Sequence, residues 1–324
     1  MGRKLEIFLG DVYEIGEAVP TLDGTDFLQV SDDESNLEIV PTKSDINYIK
    51  GGIGQDVAVQ ASTNVNCDLS FKMNVAEGIP QWAKFTQAAG HSVRIEGEKV
   101  KIEPIPEAEH HAVIHHYTGT KKDSGAFITK GEAIQFSAKI AANAREIPVL
   151  SLTGGMGKYA GEEAGTQPEV TKADIEKYTS VFNPSVSLLG NGYKLLSFEM
   201  DMANSLHQEI DAEGDHGFGD AEYEDRETTI NLSVYAKTDR VNPQTALLTD
   251  TVGDLEIEWG KVNRKINIEA KVQVKERTLT EENGFYKWDL VLAVIDDDYK
   301  IEADVYTPAT TTTTAEPTTT TSTI

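Results

Sequence analysis

The chain of 324 residues has a single cysteine, Cys67, so an internal disulfide framework is excluded and a reducing compartment suits it. Cys67 alternates with Val65, Leu69, Phe71 and Met73, the pattern of a buried core thiol. Basic residues are scarce: 29 Lys and Arg against 54 Asp and Glu give a formal net charge of −25. Such a molecule repels nucleic acid unless its bases gather in one patch, and no run of Lys and Arg gathers them. No segment approaches the roughly 20 apolar residues needed to cross a bilayer. The opening "MGRKLEIFLGDVYEIGEA" has no uninterrupted apolar h-region and no small-residue cleavage site, so no signal peptide is expected. Glu6 stands where a myristoylation signal needs Ser or Thr. The expectation is a soluble protein made where thiols stay reduced.

Recognisable chemistry is equally scarce. "GGMGKYAGEEAG" (154–165) contains Gly157-Lys158, but a phosphate-binding loop needs Gly at 152 and Ser or Thr at 159, where Leu152 and Tyr159 stand. In "SFEMDMANSLHQEIDAEGDH" (197–216), His207, Asp211, Asp215 and His216 invite a metal, yet Gly214, Gly217 and Gly219 point to an irregular loop without fixed ligand geometry. In "EHHAVIHHY" (109–117), a strand would set His111 and His115 about 13 Å apart, too far to share one zinc. No nucleophile elbow is present, and close carboxylate pairs are inevitable among so many acids. No catalytic, cofactor-binding or metal-ligating residue is assigned, and the chain is not expected to be an enzyme.

Strand patterns dominate what remains. Residues 64–73, 99–105, 133–140, 195–202, 229–236, 265–274 and 286–294 alternate or run apolar for strand lengths. Asn191-Gly192 and Asn283-Gly284 are type I′ hairpin signals. Helical signals are confined to "PQWAKFTQAAG" (80–90) and "NPQTALLTD" (242–250). The fold class is mainly β with few short helices.

The chain also repeats its own order of elements. "DFLQVSDDESNLEIVPTKSDIN" reads strand, turn, strand, then come a Gly-rich loop at 47–63, the strand 64–73 and the Pro80-Gln81 helix. "VFNPSVSLLGNGYKLLSFEMDMAN" reads the same way, followed by a Gly- and acid-rich loop at 205–225, the strand 227–236 and the Pro243-Gln244 helix. The offset is roughly 160 residues, with "KVKIEPI" and "KINIEAKV" following the two helices and strands at 111–140 lacking a counterpart. This divides the chain into a unit at 1–157 with an N-terminal arm, a linker at 158–178, a unit at 179–306 and a Thr-rich low-complexity tail at 307–324 that has too little to bury.

The succession "GYKLLSFEMDMANSL", acidic loop, "EDRETTINLSVYA", short helix and closing strands resembles the tail tube (major tail) protein of long-tailed bacteriophages. The first half agrees through "SNLEIVPTKSDI", "NVNCDLSFKM" and "GIPQWAKFTQAAG", the last in the place of that family's Pro-x-Trp helix. The likeness covers roughly residues 25 to 300 and lies in the order of weak motifs. Two features depart from it: the Thr-rich tail, and His91 where an aromatic residue usually follows the glycine.

The resemblance implies two tandem tail-tube-type β-sandwich units, each with one flanking helix and one long loop, in a ring with an inner β-barrel. Three chains would supply six units, so a trimeric ring with pseudo-sixfold symmetry is favoured over a hexamer. Rings would stack into a tube in the virion, assembled in the host cytoplasm, with tape measure and terminal tail proteins as further partners. The DNA would pass without specific binding.

Alternation puts Leu196, Phe198, Met200 and Met202 on one strand face and Ser197, Glu199 and Asp201 on the other. Ile230, Leu232 and Val234 likewise oppose Thr229, Asn231 and Ser233, and Cys67, Leu69 and Phe71 oppose Asn66, Asp68 and Ser70. Carried onto this chain, the resemblance implies that these polar faces line the bore, a wall of carboxylates and small polar groups without cations for phosphate. Ile49, Gly51, Gly52, Gly54 and Val57, with Leu206, Ile210, Gly214 and Phe218, would form the ring-stacking loops. The alternative is a β-sandwich carbohydrate-binding or adhesin-like module of a phage or bacterial surface. That would need exposed aromatic platforms, whereas Trp82, Trp259 and Trp288 sit in apolar-patterned segments.

Overall fold

A computed structural model describes residues 3–28, 36–48, 56–72, 81–105, 110–120, 126–166, 168–169, 183–208, 220–236, 242–261, 264–282 and 284–305. The first half runs β1 (Arg3–Leu9), β2 (Tyr13–Glu14), a 3-10 turn (Gly24–Asp26), β3 (Phe27–Leu28), β4 (Asn36–Tyr48), β5 (Asp56–Lys72) and α1 (Gln81–Ala88). It continues through β6 (His91–Glu96), β7 (Lys99–Pro104), β8 (His110–Thr120), β9 (Ala126–Asn143) and β10 (Val149–Gly165). The second half runs β11 (Ser185–Leu188), β12 (Asn191–Tyr193), β13 (Leu195–Gln208), β14 (Ala221–Tyr235) and α2 (Gln244–Leu248). It closes with β15 (Val252–Lys261), β16 (Arg264–Glu282) and β17 (Phe285–Asp304). The protein is mainly β, as its alternation predicts, and its strands form one large antiparallel sheet.

The long strands lie side by side in the order β4-β5-β10-β9-β13-β14-β17-β16. The pairing order recurs within this series: β4-β5-β10-β9 in the first half, β13-β14-β17-β16 in the second. The shorter strands follow suit, since β9 pairs with β8, β8 with β1 and β1 with β3, while β16 pairs with β15, β15 with β11 and β11 with β12. In this pairing order the strands at 111–140, expected to lack a counterpart, take the places that β15 and β16 take in the second half. Among the described residues the elements without a match in the second half are β2, the 3-10 turn and the β6–β7 hairpin, whose β7 pairs with the end of β17. The segments "KVKIEPI" and "KINIEAKV", similar in alternation, occupy different places in this order, because alternation reports a half-buried strand and not its neighbours.

A contiguous apolar core joins the halves, with Trp82, Phe85 and Phe136 from the first and Met200, Trp259 and Ile268 from the second all buried. Cys67 is buried within it, and burial pushes its thiol far above the ordinary range, so it behaves as a small apolar group. Helix α1 is followed by Gly90 at φ +77°, the left-handed position that favours glycine after a helix.

Three expectations are corrected. The described residues of the loops expected at 47–63 and 205–225 are strand apart from Asp220: β4 and β5 stay paired from Asn36↔Asp68 out to Tyr48↔Asp56, and β13 and β14 out to Gln208↔Ala221. Polar residues stand on both faces in the outer part of the second hairpin, interrupted by Leu206, Ala221 and Tyr223, so periodicity reads loop while cross-strand backbone hydrogen bonds still make strand. The glycine-rich 154–165 is also strand, and β10 extends to Gly165, into the segment expected as a linker. Its glycines answer to close approach: a Cβ at Gly155 would stand 2.3 Å from the Phe136 ring, and one at Gly157 2.8 Å from the Glu132 carbonyl. The first hairpin turn falls at Leu189-Gly190, both at positive φ, with Asn191 already in β12. Pairing Val186 with Tyr193, both buried, sets this register, and Asn191 instead donates its side-chain amide to the Leu189 carbonyl at 3.0 Å. At the second turn Glu282 pairs with Phe285 and Gly284 has φ +79°, as a two-residue hairpin requires.

Candidate functional site: the polar face of the long strands

The central strands are amphipathic by alternation, and the sheet aligns their polar rows. On β13 and β14, Phe198, Met200, Met202, Ile230, Leu232 and Val234 are buried. Ser197, Glu199 and Asp201 stand opposite Ser233, Asn231 and Thr229 on the other face, half-buried or exposed. β9 continues this row with Asn143, Ala141 and Lys139, and β17 with Asp289, Val291 and Ala293. On β5, Asn66 and Asp68 are exposed, and Asp68 accepts the Gly154 amide at 2.9 Å. Ser70 is the exception among the nine residues assigned to the wet face: it is buried. Leu196 is half-buried while Leu195 is buried, because the β13–β14 register shifts between Leu195 and Ser197.

This face is acidic but not free of cations. Asp68, Glu199, Asp201, Glu227, Glu276 and Asp289 share it with Lys139, Lys158 and Lys287 among the residues whose side chains are described. Lys139 pairs with Glu199 at 2.8 Å and stands opposite Asp201, and Lys287 lies 3.6 Å from Asp289. The expectation of a wall without cations is thus corrected: the lysines are present and each is held by a carboxylate. Partial burial raises the Asp201 carboxyl, Lys139 opposes that and Glu199 reinforces it. Burial pushes Asp289 the same way, but hydroxyl donors on Ser233 and Thr280, with Lys287 beside them, outweigh it and hold that carboxyl low. A groove of about 590 Å³ crosses the face between Asn143, Ser197, Asn231 and Thr278.

A second polar assembly, not foreseen from the sequence, ties the β13–β14 hairpin to α1. The last carbonyls of α1 and its turn lack intrahelical donors. Tyr223 donates to the Ala88 carbonyl at 3.0 Å, Arg226 Nη2 to those of Ala89 and Gly90, and Asn204 to that of Ala89. Arg226 Nε is held on Asn204 Oδ1 at 2.8 Å. Beneath them His91 is fully enclosed: its Nδ1–H donates to the Thr86 carbonyl at 2.9 Å, and its Nε2 accepts the Tyr299 hydroxyl at 2.6 Å. Burial, and then the Arg226 charge, depress the imidazole to about 3, so it is neutral.

Of the residues assigned to ring-stacking loops, Val57 lies in β5 and Leu206 is half-buried in β13, so both belong to hairpin arms. Ile49, Gly51, Gly52, Gly54, Ile210, Gly214 and Phe218 lie outside the described residues, as do Asp211, Asp215, His216 and the Thr-rich tail. His207 lies 3.9 Å from Glu224, both exposed. His111 is buried and donates Nε2–H to the Ala221 carbonyl at 2.7 Å, a structural role. No helix of the described residues is long and apolar enough to cross a membrane. No family model matches the sequence, and no curated protein matches it significantly.

Proposed function

We propose that the chain is a structural subunit of a phage tail tube, a conduit for DNA. It is read as two tandem units of one ancestral fold whose copies close into rings, three chains supplying six units. The observation that carries this reading is the recurrent pairing order combined with a mostly polar face that crosses from one half to the other. The β9–β13 join lets that face run from one half into the other, as one wall shared by two like units would. The residues on it suit a bore that must not hold DNA. Its carboxylates outnumber its lysines, Lys139, Lys158 and Lys287 are engaged by Glu199, Asp220 and Asp289, and counterion release on phosphate contact has little to draw on. The whole-chain charge of −25 acts in the same sense. The hairpins β4–β5 and β13–β14 would carry residues 49–55 and 209–219 toward an adjacent ring. Tape measure and terminal tail proteins would be the remaining partners.

The rival adhesin-like reading draws on the exposed Phe127, Phe285 and Tyr286. Phe285 and Tyr286 are consecutive in a strand and so face opposite ways, which denies them a common sugar platform. All three tryptophans are buried. The test is negative-stain microscopy of the purified protein as its concentration is raised: hollow tubes of stacked rings support the tube reading. A protein that stays monomeric throughout and binds a glycan array supports the rival.

A further inference from the structure

We infer that the chain joins a second copy of itself through one defined strand pair, the outer part of β16 against the start of β4. Each of these edges is open among the described residues. β4 pairs with β5 alone, and β16 pairs with β15 only as far as Gln273, leaving its remaining edge with no partner opposite β17. They are the two ends of the long-strand series, so a β16–β4 join would continue the sheet from one chain into the next.

The recurrence sets the register. Leu232 of β14 stands opposite Leu290, which stands opposite Arg277 of β16. Leu69 of β5, in the same Leu-Ser dipeptide, stands opposite Leu152, which stands opposite Ala138 of β9. Arg277 therefore corresponds to Ala138, and Leu279 to Ile140. On the other side Ile230 stands opposite Met200 and Cys67 opposite Leu37, so Met200 corresponds to Leu37. The step that takes Leu69 to Leu232 also takes Gln81 of α1 to Gln244 of α2, an independent agreement. Within the chain Ile140 stands opposite Met200, in a join of six consecutive residue pairs from Ser197↔Asn143 to Met202↔Ala138. Between chains the same geometry sets Leu279 opposite Leu37, and Thr278 opposite Glu38.

Exposure supports the assignment. Ile140, beside β13, is fully buried, whereas Leu279, beside which no strand is paired on that edge among the described residues, is 51% exposed. An open antiparallel edge carrying an exposed leucine invites strand addition, and natural proteins protect such edges unless they are used. The contact is heterologous, so repetition closes a ring or extends a filament according to the rotation at each join. Closure at three rests on the tube reading; the strand pair rests on the recurrence alone.

The test is oxidative crosslinking of cysteine variants. Thr278→Cys and Glu38→Cys are made singly and together, with Thr278→Cys plus Thr42→Cys, four residues out of register, as the control. The native Cys67 is buried with its thiol held protonated, and it stays silent. Circular dichroism checks that each variant folds. The expected result is a disulfide-linked dimer from the mixed single variants, covalent trimers from the double variant, and loss of both in the control. Rings in the microscope without the Thr278–Glu38 crosslink would overturn the strand pair and leave the tube reading standing. A crosslinked ladder without closed rings supports the strand pair and counts against the ring of three. Equal crosslinking in the control, or a monomer without crosslinks at every concentration, overturns the inference.

Discussion

Replacing His91 by Gln should remove a large part of the acid sensitivity of the fold. The imidazole is enclosed between the Thr86 carbonyl and the Tyr299 hydroxyl and takes up a proton only near pH 3, against 6.5 for an ordinary histidine. Between those values the unfolded chain binds a proton that the folded chain refuses, so stability falls as the pH drops below 6.5 and is fully present above it. Each pH unit in that window costs about 1.4 kcal/mol, so at pH 5 the histidine accounts for about 2 kcal/mol of lost stability. A glutamine keeps one donor and one acceptor near the same partners and does not titrate. It should cost about 1–3 kcal/mol at pH 7.5 through imperfect hydrogen bonds, then lose about 2 kcal/mol less than the native protein on going to pH 5. Urea unfolding at both pH values, on protein dilute enough that midpoints do not depend on concentration, gives the four free energies. His115 and His116, which burial also depresses, are common to both proteins and cancel in the comparison. Equal pH dependence in the two proteins would refute the enclosed neutral imidazole.

Arg226→Ala removes the donors to Ala89, Gly90 and Asn204 and should lower stability by about 2 kcal/mol in urea unfolding, with α1 losing hydrogen-exchange protection first. The double change Glu199→Lys and Asp201→Lys replaces two negative charges by two positive ones beside Lys139, a change of +4 per chain, yet should alter stability by only about 1 kcal/mol because the lost Lys139–Glu199 pair is half-exposed. Particles carrying it should eject DNA slowly and incompletely, with high salt restoring the rate; unchanged ejection would place these residues off the bore. Deleting residues 209–219 and closing β13 to β14 with an Asn-Gly turn should leave cooperative unfolding intact while abolishing tubes, as read by microscopy.

The central strands were legible because one face of each packs on a core: Phe198, Met200, Ile230 and Leu232 announce themselves at period two. The same rule placed eight of nine wet-face residues at half-buried or exposed positions. Ser70 departs from it because it is buried despite its alternation. The hairpin arms were illegible, since "NSLHQ" and "AEYEDR" carry polar residues on both faces and only backbone pairing makes them strand. Glycine misled in "GGMG", where close packing of Phe136 and Ile134 demands it, and Asn191-Gly192 misled because burial of Val186 and Tyr193 outweighs turn propensity. The His91 and Arg226 assembly is built from residues far apart in the chain, and the one sequence signal nearby was a histidine following Gly90 where the resembled family carries an aromatic residue.

On the proposed function, the polar face of β9, β13, β14 and β17 lines the bore of an assembled tube. An electron cryomicroscopy map of tubes grown from the purified protein tests it most directly. The expected map has a hollow wall of strands running from chain to chain through β16 and β4, with Glu199, Asp201, Asn231 and Asp289 facing the channel. A tube with those four residues on its outer surface, or a filament without a channel, would contradict it.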